Sequence, residues 1–310
     1  MNVSLRALRY VVATADSGNL TEAARKLNVS QPSISSAIAQ VEDELGVQIF
    51  IRHHARGVTL TSAGARIIGE ARGLLNHARD FTQSAKDLGS ELRGEISVGC
   101  LWTIASHLMP SILSGFAESH GGVVVSLEEG DQQNILDSLA AGRTELALSY
   151  RFAIPDEVAG EKLTAFPPYA VLPAGHRLAG RKDVELAELA EDEFILLDMP
   201  YSRDYFLNLF RAQGLEPKVA FRARTQELAR GLVGHGRGYT ITNLVAKSMD
   251  TYDGGRVAAI PISGDPEPVE LMILALKRQS QRPAVDAFVA HLREMFAPDI
   301  PVRKKAASRR

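Results

Sequence analysis

Short polar side chains gather at one point of the N-terminal region, where Ser30 is placed to begin a helix. Gln31, Ser33, Ser35 and Ser36 follow it within the first two turns. A glutamine amide pairs with the edge of an adenine, and serine hydroxyls hydrogen-bond to bases or phosphates. These are the side chains that a helix in the major groove of DNA needs. The alternative interpretation is a solvated helix terminus.

Two arginines after that helix bring cationic chemistry to the same region. Arg52 and Arg56 flank a short loop that also contains two histidines. A guanidinium in this position suits a DNA phosphate or the minor groove, where the potential is negative. The alternative for either arginine is an ion pair with Glu42 or Glu44.

A second group of residues predicts a site for a small anion. Trp102 and Thr103 follow a predicted strand and precede a predicted helix. The free N–H groups of a helix N-terminus, together with a hydroxyl, form a carboxylate or phosphate site. Arg151 and Arg203 are the predicted counter-charges, and Tyr201 with Trp102 offers flat walls. The alternatives are simple helix capping by Thr103 and surface ion pairs for both arginines.

Catalytic and cofactor chemistries find no support in the sequence. The glycines within 234–238 lack the spacing and the preceding strand of a dinucleotide loop, so they are interpreted as turn glycines. No phosphate-binding P-loop, zinc-protease motif or serine-hydrolase motif occurs. Cys100 lies inside a predicted strand and is interpreted as a small buried hydrophobe. We predict that the protein is not an enzyme and that it has no catalytic residue, metal or cofactor.

Capping signals and helical spacing define the elements that hold the first group. Thr21 and Ser30 are predicted helix caps, and Gly46 is predicted to end the third helix. Helix, tight turn, helix and a two-stranded wing form a winged helix-turn-helix. The predicted elements are helices over 5–15, 22–27 and 31–45 and strands over 47–51 and 57–60.

Residues 62–89 form one long helical segment without proline. Its apolar residues step by four and three, which is the seam of a coiled coil. So narrow a seam requires a partner helix, and the sequence therefore predicts a dimer. The alternative is packing against the N-terminal domain of the same chain. The seam consists of Ile67, Ala71, Leu74, Ala78, Phe81, Ala85 and Leu88.

From Gly94 onward, predicted strands alternate with predicted helices, which is typical of parallel α/β sheets. The first unit has strands over 95–101, 123–128 and 146–150 and helices over 106–118 and 132–141. The second has strands over 169–173, 194–197, 218–223 and 239–242 and helices over 203–213 and 225–233, before a final strand and helix at 270–276 and 283–295. Two such units resemble a periplasmic-binding-protein architecture, with a ligand cleft at the carboxyl ends of the strands.

Charge is distributed unevenly along the 310 residues, a length that suits about two domains. Residues 1–93 hold 11 basic and 9 acidic side chains, residues 94–302 hold 19 and 28, and the tail 303–310 holds 5 and none. The net charge of −2 argues against a chromosome-architectural protein. The absence of a long apolar run and of a signal-peptide pattern predicts a cytoplasmic protein without membrane contact.

Motifs along the chain resemble the LysR-type transcriptional regulators. The anchors are Ala23-Ala24, Leu27, Ser30-Gln31-Pro32-Ser33-Ile34-Ser35, Ile38, Glu42, Leu45-Gly46, Phe50, Arg52, Arg56, Leu60-Thr61 and Ala63-Gly64. Their unbroken spacing over some 60 residues makes the resemblance highly specific. Ser36 departs from it, because the family often has Arg, Lys or Gln there. Tyr239-Thr240-Ile241-Thr242-Asn243 is also more polar than is common, which favours a polar ligand.

The resemblance implies an α/β protein with a helical head. Its domains are a winged helix-turn-helix over 1–61, a linker and dimerisation helix over 62–93, an effector-binding domain over 94–302 and the basic tail 303–310. Within the effector-binding domain, subdomain I covers 94–163 and 268–302 and subdomain II covers 164–267. The implied DNA contacts are Thr21, Ser30, Gln31, Pro32, Ser33, Ser35, Ser36, Gln40, Arg52 and Arg56. The implied effector contacts are Trp102, Thr103, Tyr150, Arg151, Tyr201, Ser202, Arg203 and Thr242.

The implied function is sequence-specific regulation of transcription, with DNA contacts modulated by a small polar or carboxylate effector. The implied partners are a double-stranded DNA operator, the effector, a second copy in a homodimer, two dimers in a homotetramer, and RNA polymerase. The competing interpretation is a small-molecule-binding protein or enzyme of α/β type without a regulatory role. The N-terminal motif favours the regulator, since neither alternative needs a DNA-reading helix.

Overall fold

The computed structural model describes residues 3–53, 57–86, 92–277 and 282–297. Within these ranges no helix is long and apolar enough to cross a membrane. The N-terminal region consists of α1 (Leu5–Ser17), α2 (Leu20–Leu27), α3 (Gln31–Leu45), β1 (Phe50–His53), β2 (Gly57–Leu60) and α4 (Ser62–Lys86).

Side-chain caps set the bounds of the three head helices. The Ser30 hydroxyl accepts from the backbone N–H of Ser33, and Gly46 ends α3 in the left-handed region, which confirms both sequence predictions. The predicted cap at Thr21 is wrong. Asn19 caps α2 instead, because its side-chain oxygen accepts from the N–H groups of Thr21 and Glu22. Helix α2 therefore begins two residues earlier than predicted.

The wing begins later than the predicted strand over 47–51. The segment before β1 is held by the end of α3: the N–H of Val47 bonds to the Glu42 carbonyl, and those of Ile49 and Phe50 bond to the Glu42 carboxylate. These donors are thus unavailable to a second strand. Gly57 lies at φ 86°, where a Cβ would stand 2.2 Å from the carbonyl oxygen of Gly18, so the wing packs directly on the α1–α2 turn.

Helix α4 joins the head to the rest of the chain. Ile68 is buried in the head core, beside α1 and β2. One turn later, the Arg72 guanidinium donates both to Asp16 of the head and to the carbonyl of Ala141 in the C-terminal region. The backbone of Gly69 lies against Gly142 so closely that a Cβ on Gly142 would clash. These contacts link α4 to both the head and the C-terminal region of the same chain.

The C-terminal region, from β3 onward, has two lobes and is the predicted effector-binding domain. Its elements are β3 (Gly94–Leu101), α5 (Trp102–Ser119), β4 (Val123–Gly130), α6 (Gln132–Ala140), β5 (Leu146–Tyr150), β6 (Val158–Phe166), β7 (Tyr169–Pro173), α7 (Leu186–Leu189), β8 (Glu193–Leu197), α8 (Ser202–Arg211), β9 (Lys218–Ala223), α9 (Gln226–Gly234), β10 (Thr240–Thr242), β11 (Val257–Pro261), β12 (Val269–Leu276) and α10 (Pro283–Phe296). The sequence missed β6, α7 and β11. Helix α5 begins at Trp102, four residues before the predicted start, so Trp102 and Thr103 lie inside its first turn.

The first lobe is built on a five-stranded sheet in the order β4-β3-β5-β12-β6. Strands β3, β4 and β5 are parallel, as predicted, whereas β12 runs antiparallel to both β5 and β6. Because β6 pairs with β12 up to Phe166, the chain leaves this lobe after Phe166, not at the predicted boundary of 163. Parallel β3, β4 and β5 place their carboxyl ends at one edge of the sheet.

The second lobe combines an antiparallel sheet, β10-β7-β11, with the parallel pair β8 and β9. A bridge between Phe194 and Tyr239 joins the two. Phe194, Phe210 and Tyr239 pack together in its core. The parallel α/β pattern therefore holds for part of each lobe. The chain passes between the lobes from β6 to β7 and from β11 to β12, and these strands are antiparallel to their neighbours.

Candidate functional site

The start of α3 forms an exposed polar edge on the head. Gln31, Ser33, Ser36 and Gln40 are exposed. Helix α3 keeps its place by burying Ile34, Ile38 and Val41 on the opposite side. The Gln31 amide makes no hydrogen bond within the part of the chain that the structure describes, so its donor and acceptor are available to a base edge. Thr21, Ser30 and Pro32 are exposed beside these residues, and Ser35 is half-buried.

The wing places Arg52 next to this edge. Its guanidinium donates to the Ser35 hydroxyl at 3.4 Å, which links β1 to α3. Glu42, one of the two alternative partners of Arg52, is occupied by the N–H groups of Ile49 and Phe50. Arg56 lies outside the described residues. An exposed helix start beside a two-stranded ribbon with a cation is the arrangement that docks in a major groove and contacts the flanking phosphates.

A cavity of about 660 Å³ opens between the two lobes. One wall is the first two turns of α5, with Trp102, Thr103 and His107, together with Glu129 at the end of β4. The other wall is the loop after β9 and the start of α9. Both walls lie at carboxyl ends of parallel strands, where open α/β sheets bind their ligands. Helix α5 has no side-chain cap, so its first N–H groups remain available at this edge.

Of the eight predicted effector contacts, only Trp102 and Thr103 line this cavity. Arg151 is exposed and pairs with Glu270 at 2.9 Å. Arg203 pairs with Asp198 and Asp204 on the surface of its own lobe. Both arginines therefore make the surface ion pairs that were their alternatives.

The remaining four predicted contacts also lie outside the cavity. Tyr150 is buried beneath the wall, next to the Thr103 hydroxyl, and burial raises the pKa of its phenol while that hydroxyl lowers it. Tyr201 and Ser202 open α8 away from the cavity. Thr242 is buried and accepts from the amide of Gln226, so it positions a cavity residue without facing the ligand space itself. The junction after β8 contributes Met199 to the cavity, and the junction after β9 contributes Arg224 and Thr225.

Ser106 and His107 extend the α5 wall. The sequence interpretation missed them, although their spacing of three and four from Thr103 places all three on one helix face. The Nδ1 atom of His107 lies 2.9 Å from the Thr103 carbonyl oxygen, and the Ser106 hydroxyl bonds to the Trp102 carbonyl. Burial lowers the pKa of His107.

The α9 wall carries charges that are mostly paired with one another. Arg230 is 8% exposed and donates to Glu227 at 2.9 Å and to the backbone carbonyl of Ser248 at 2.7 Å. The other carboxylate oxygen of Glu227 accepts from the N–H of Tyr252. Arg224 is exposed and forms no ion pair within the described ranges. It is therefore the cation that this wall offers to a ligand.

The predicted coiled-coil seam divides into two parts. Ile67 and Ala71 lie against the head, beside Leu8 and Leu45, and line an apolar groove of about 460 Å³. Ala78 is half-buried. Leu74 lines the outer end of the same groove, and Leu74 and Phe81 are 50% and 77% exposed within the described part of the chain. The side chain of Ala85 is not described, and Leu88 lies outside the described residues. Packing on the head therefore accounts for only the first half of the seam.

Two family models match almost the whole chain. Residues 5–65 match the bacterial regulatory helix-turn-helix protein, lysR family, and residues 89–297 match the LysR substrate binding domain. The Hca operon transcriptional activator HcaR of Escherichia coli is 29% identical over 298 residues, which cover 95% of this chain and 99% of HcaR.

Solved structures agree with these matches. HinK, a LysR family transcriptional regulator from Pseudomonas aeruginosa, is 36% identical with a TM-score of 0.64, covering 95% of this chain and 99% of HinK. Full-length CbnR in complex with its target DNA is 27% identical with a TM-score of 0.59, covering 94% of this chain and 99% of CbnR. The similarity thus extends over both the head and the two-lobed region.

Proposed function

This chain belongs to the LysR family of transcriptional regulators, and we propose that it reads its operator with α3 and Arg52 under the control of a small carboxylate bound between the two lobes. The observation that carries the proposal is the presence, in one chain, of an exposed polar helix start on the head and a cavity at the carboxyl ends of parallel strands. LysR regulators bind DNA and small effectors, and the relatives are regulators of transcription. The proposal therefore assigns regulation and no catalysis, at the chromosome in the cytoplasm.

The chemistry of the two side chains gives Gln31 and Arg52 different roles in DNA binding. Gln31 presents both a donor and an acceptor at the exposed start of α3, which suits the paired N6 and N7 groups of adenine. Arg52 presents a delocalised charge from the wing, where a phosphate is the nearest partner. Base readout therefore belongs to Gln31, and sequence-independent affinity to Arg52.

Replacing Gln31 by alanine is expected to cost about 1–3 kcal/mol on the operator and little on random DNA, because one bidentate base contact is lost. Arg52→Ala is expected to weaken operator and random DNA alike and to reduce the salt slope by about one. Fluorescence anisotropy with both duplexes over a salt series measures both effects. Equal losses on operator and random DNA for Gln31→Ala would contradict its assignment to base readout.

The effector end of the proposal rests on the charges of the cavity. Arg230 is neutralised by Glu227, whereas Arg224 retains its charge for a ligand. The uncapped start of α5 adds partial positive charge and unsatisfied N–H groups on the opposite wall. A small acid with a ring or another flat part would also contact Trp102.

Arg224→Ala is expected to weaken binding of a carboxylate effector about tenfold or more, since a charge-assisted hydrogen bond is worth about 1.5–3 kcal/mol. A thermal-shift screen of small carboxylic acids identifies the probe, and titration calorimetry gives the change in Kd. Arg203→Ala is the matched control, because Arg203 is also exposed but lies outside the cavity. An equal loss in both variants would contradict the cavity assignment.

The assembly follows from surfaces that one chain leaves open. We infer a dimer through the open half of the α4 seam, at Leu74 and Phe81. A second contact, between dimers, is favoured by two edge strands that expose apolar side chains, β4 with Val124 and β9 with Phe221. Such a homotetramer places two pairs of heads on DNA.

A further inference from the structure

His107 presents to the cavity a hydrogen-bonding atom that the protein itself does not use. Its Nδ1 lies 2.9 Å from the carbonyl oxygen of Thr103. A carbonyl oxygen only accepts, so Nδ1 carries the proton, and in a neutral imidazole Nε2 is then an acceptor. Nε2 has no hydrogen-bond partner in the ranges that the structure describes. The α5 wall therefore offers a fixed acceptor to whatever fills the cavity.

The surroundings of the ring keep it neutral. Burial is the largest cause of its lowered pKa; the charge of Arg230 lowers the pKa further, while the Thr103 carbonyl and Glu227 raise it. Arg230 and Glu227 face the ring from α9 and pair with each other. Glu129 of β4 and Asp250 of the second lobe are the other acids that line the cavity. Near neutral pH the ring accepts a hydrogen bond and carries no charge.

A plain carboxylate finds partners for only some of the hydrogen-bonding and charged groups that line this cavity. Its oxygens suit Arg224, but they have nothing to donate to His107, and Glu129 repels them. An acceptor that is buried under a ligand without a donor costs its lost hydration. We propose that the cavity selects a small carboxylate that also carries a hydroxyl or ammonium donor, an inference that rests on the proposed effector site. The donor bonds to Nε2 of His107, and the carboxylate lies towards Arg224.

Matched pairs of acids test this selection by titration calorimetry on the full chain. Propionate is compared with lactate and alanine, and benzoate with 3-hydroxybenzoate. In at least one series we expect the donor-bearing acid to bind about tenfold more tightly than its parent, because only that acid satisfies Nε2. Lactate against alanine distinguishes a hydroxyl from an ammonium group.

Two variants connect any preference to His107. His107→Phe keeps a flat ring without an acceptor, so parent and donor-bearing acids are expected to bind within about twofold of each other. His107→Gln retains an acceptor oxygen and is expected to keep part of the preference. A preference that survives unchanged in His107→Phe overturns the proposal. Circular dichroism of both variants verifies that they are folded.

The direction of the pH dependence provides an independent test. Protonation converts Nε2 into a donor and adds a positive charge. As the pH falls below the ordinary range of an imidazole pKa and the ring of His107 takes up a proton, donor-bearing acids should therefore lose affinity, whereas plain carboxylates should gain it. Acids of both kinds gaining affinity alike on acidification would overturn the proposal.

The outcomes separate this inference from the proposed effector site. If parent and donor-bearing acids bind equally and Arg224→Ala weakens both, the selection by His107 is wrong and the carboxylate site stands. If no acid of either series binds, and Arg224→Ala leaves the best hit of the screen unaffected, the carboxylate site and the selection both fail.

Discussion

Replacing Glu145 by alanine is expected to destabilise the effector-binding region by about 3–5 kcal/mol, a large effect for a single residue. The carboxylate accepts two hydrogen bonds from Arg282, at 2.8 and 2.6 Å, and the two side chains are only 5% and 2% exposed. Arg282 also donates to the backbone carbonyl of Glu95 at 2.6 Å. Alanine at 145 would remove the carboxylate that accepts both of these hydrogen bonds, while the guanidinium stays buried.

The measurement is chemical denaturation followed by the fluorescence of Trp102, the single tryptophan of the chain, which lies in the effector-binding region. Glu161→Ala is the matched control, because Glu161 makes a similar two-point pair with Arg293 on the surface. Exposed pairs of this kind contribute about 0–1 kcal/mol. Similar losses for the buried and the exposed glutamate would contradict the expectation.

Replacing both partners by apolar residues separates pairing from burial. Glu145→Leu combined with Arg282→Met removes both charges and retains most of the volume. Such exchanges are often neutral or stabilising, since neither charge then needs to be desolvated. We therefore expect the double variant to recover most of the stability that Glu145→Ala loses.

This ion pair also shows where sequence reasoning ends. The two residues are 137 positions apart, and nothing in their local patterns connects them. Head elements were predictable because their signals are local: the Ser30 hydroxyl caps its own helix, and Gly46 ends it. Even there, the choice between Asn19 and Thr21 as the cap of α2 depended on which side chain actually turns back to the helix.

The cavity illustrates the same limit at the functional site. Sequence periodicity located strand–helix junctions, and the rule for carboxyl ends pointed to Trp102 and Thr103, which line the cavity between the lobes. It also selected Arg203, at the junction after β8. That junction contributes Met199 to the cavity, whereas Arg203 turns to Asp198 and Asp204, a choice of partner that local sequence does not reveal. His107 was within reach of the sequence, since it follows Thr103 by one helical turn.

The exposed half of the α4 seam leads to the prediction with the largest effect on assembly. Ile67 and Ala71 pack on the head, and Arg72 holds the same stretch of helix to Asp16 and Ala141. This part of α4 is therefore committed within the subunit. Leu74, at the outer end of the groove on the head, and Phe81 have half or more of their surface exposed, at the spacing of a coiled-coil seam. Burying them against the same helix of a second copy removes that apolar surface from water.

Replacing Leu74 and Phe81 together by glutamate is therefore expected to convert the proposed dimer to monomer at micromolar concentration. Four like charges would meet in an apolar interface, and unpaired buried charges are strongly unfavourable. Light scattering gives the mass, and circular dichroism verifies the fold.

Leu228→Glu is the control: it places the same charge at an exposed leucine of α9, away from the seam, and should leave the dimer intact. A folded double variant that retains the mass of the unmodified protein would contradict a dimer interface at this seam. Loss of operator binding should accompany dissociation, because a monomer presents one head where the dimer presents two, and the gain from simultaneous engagement disappears.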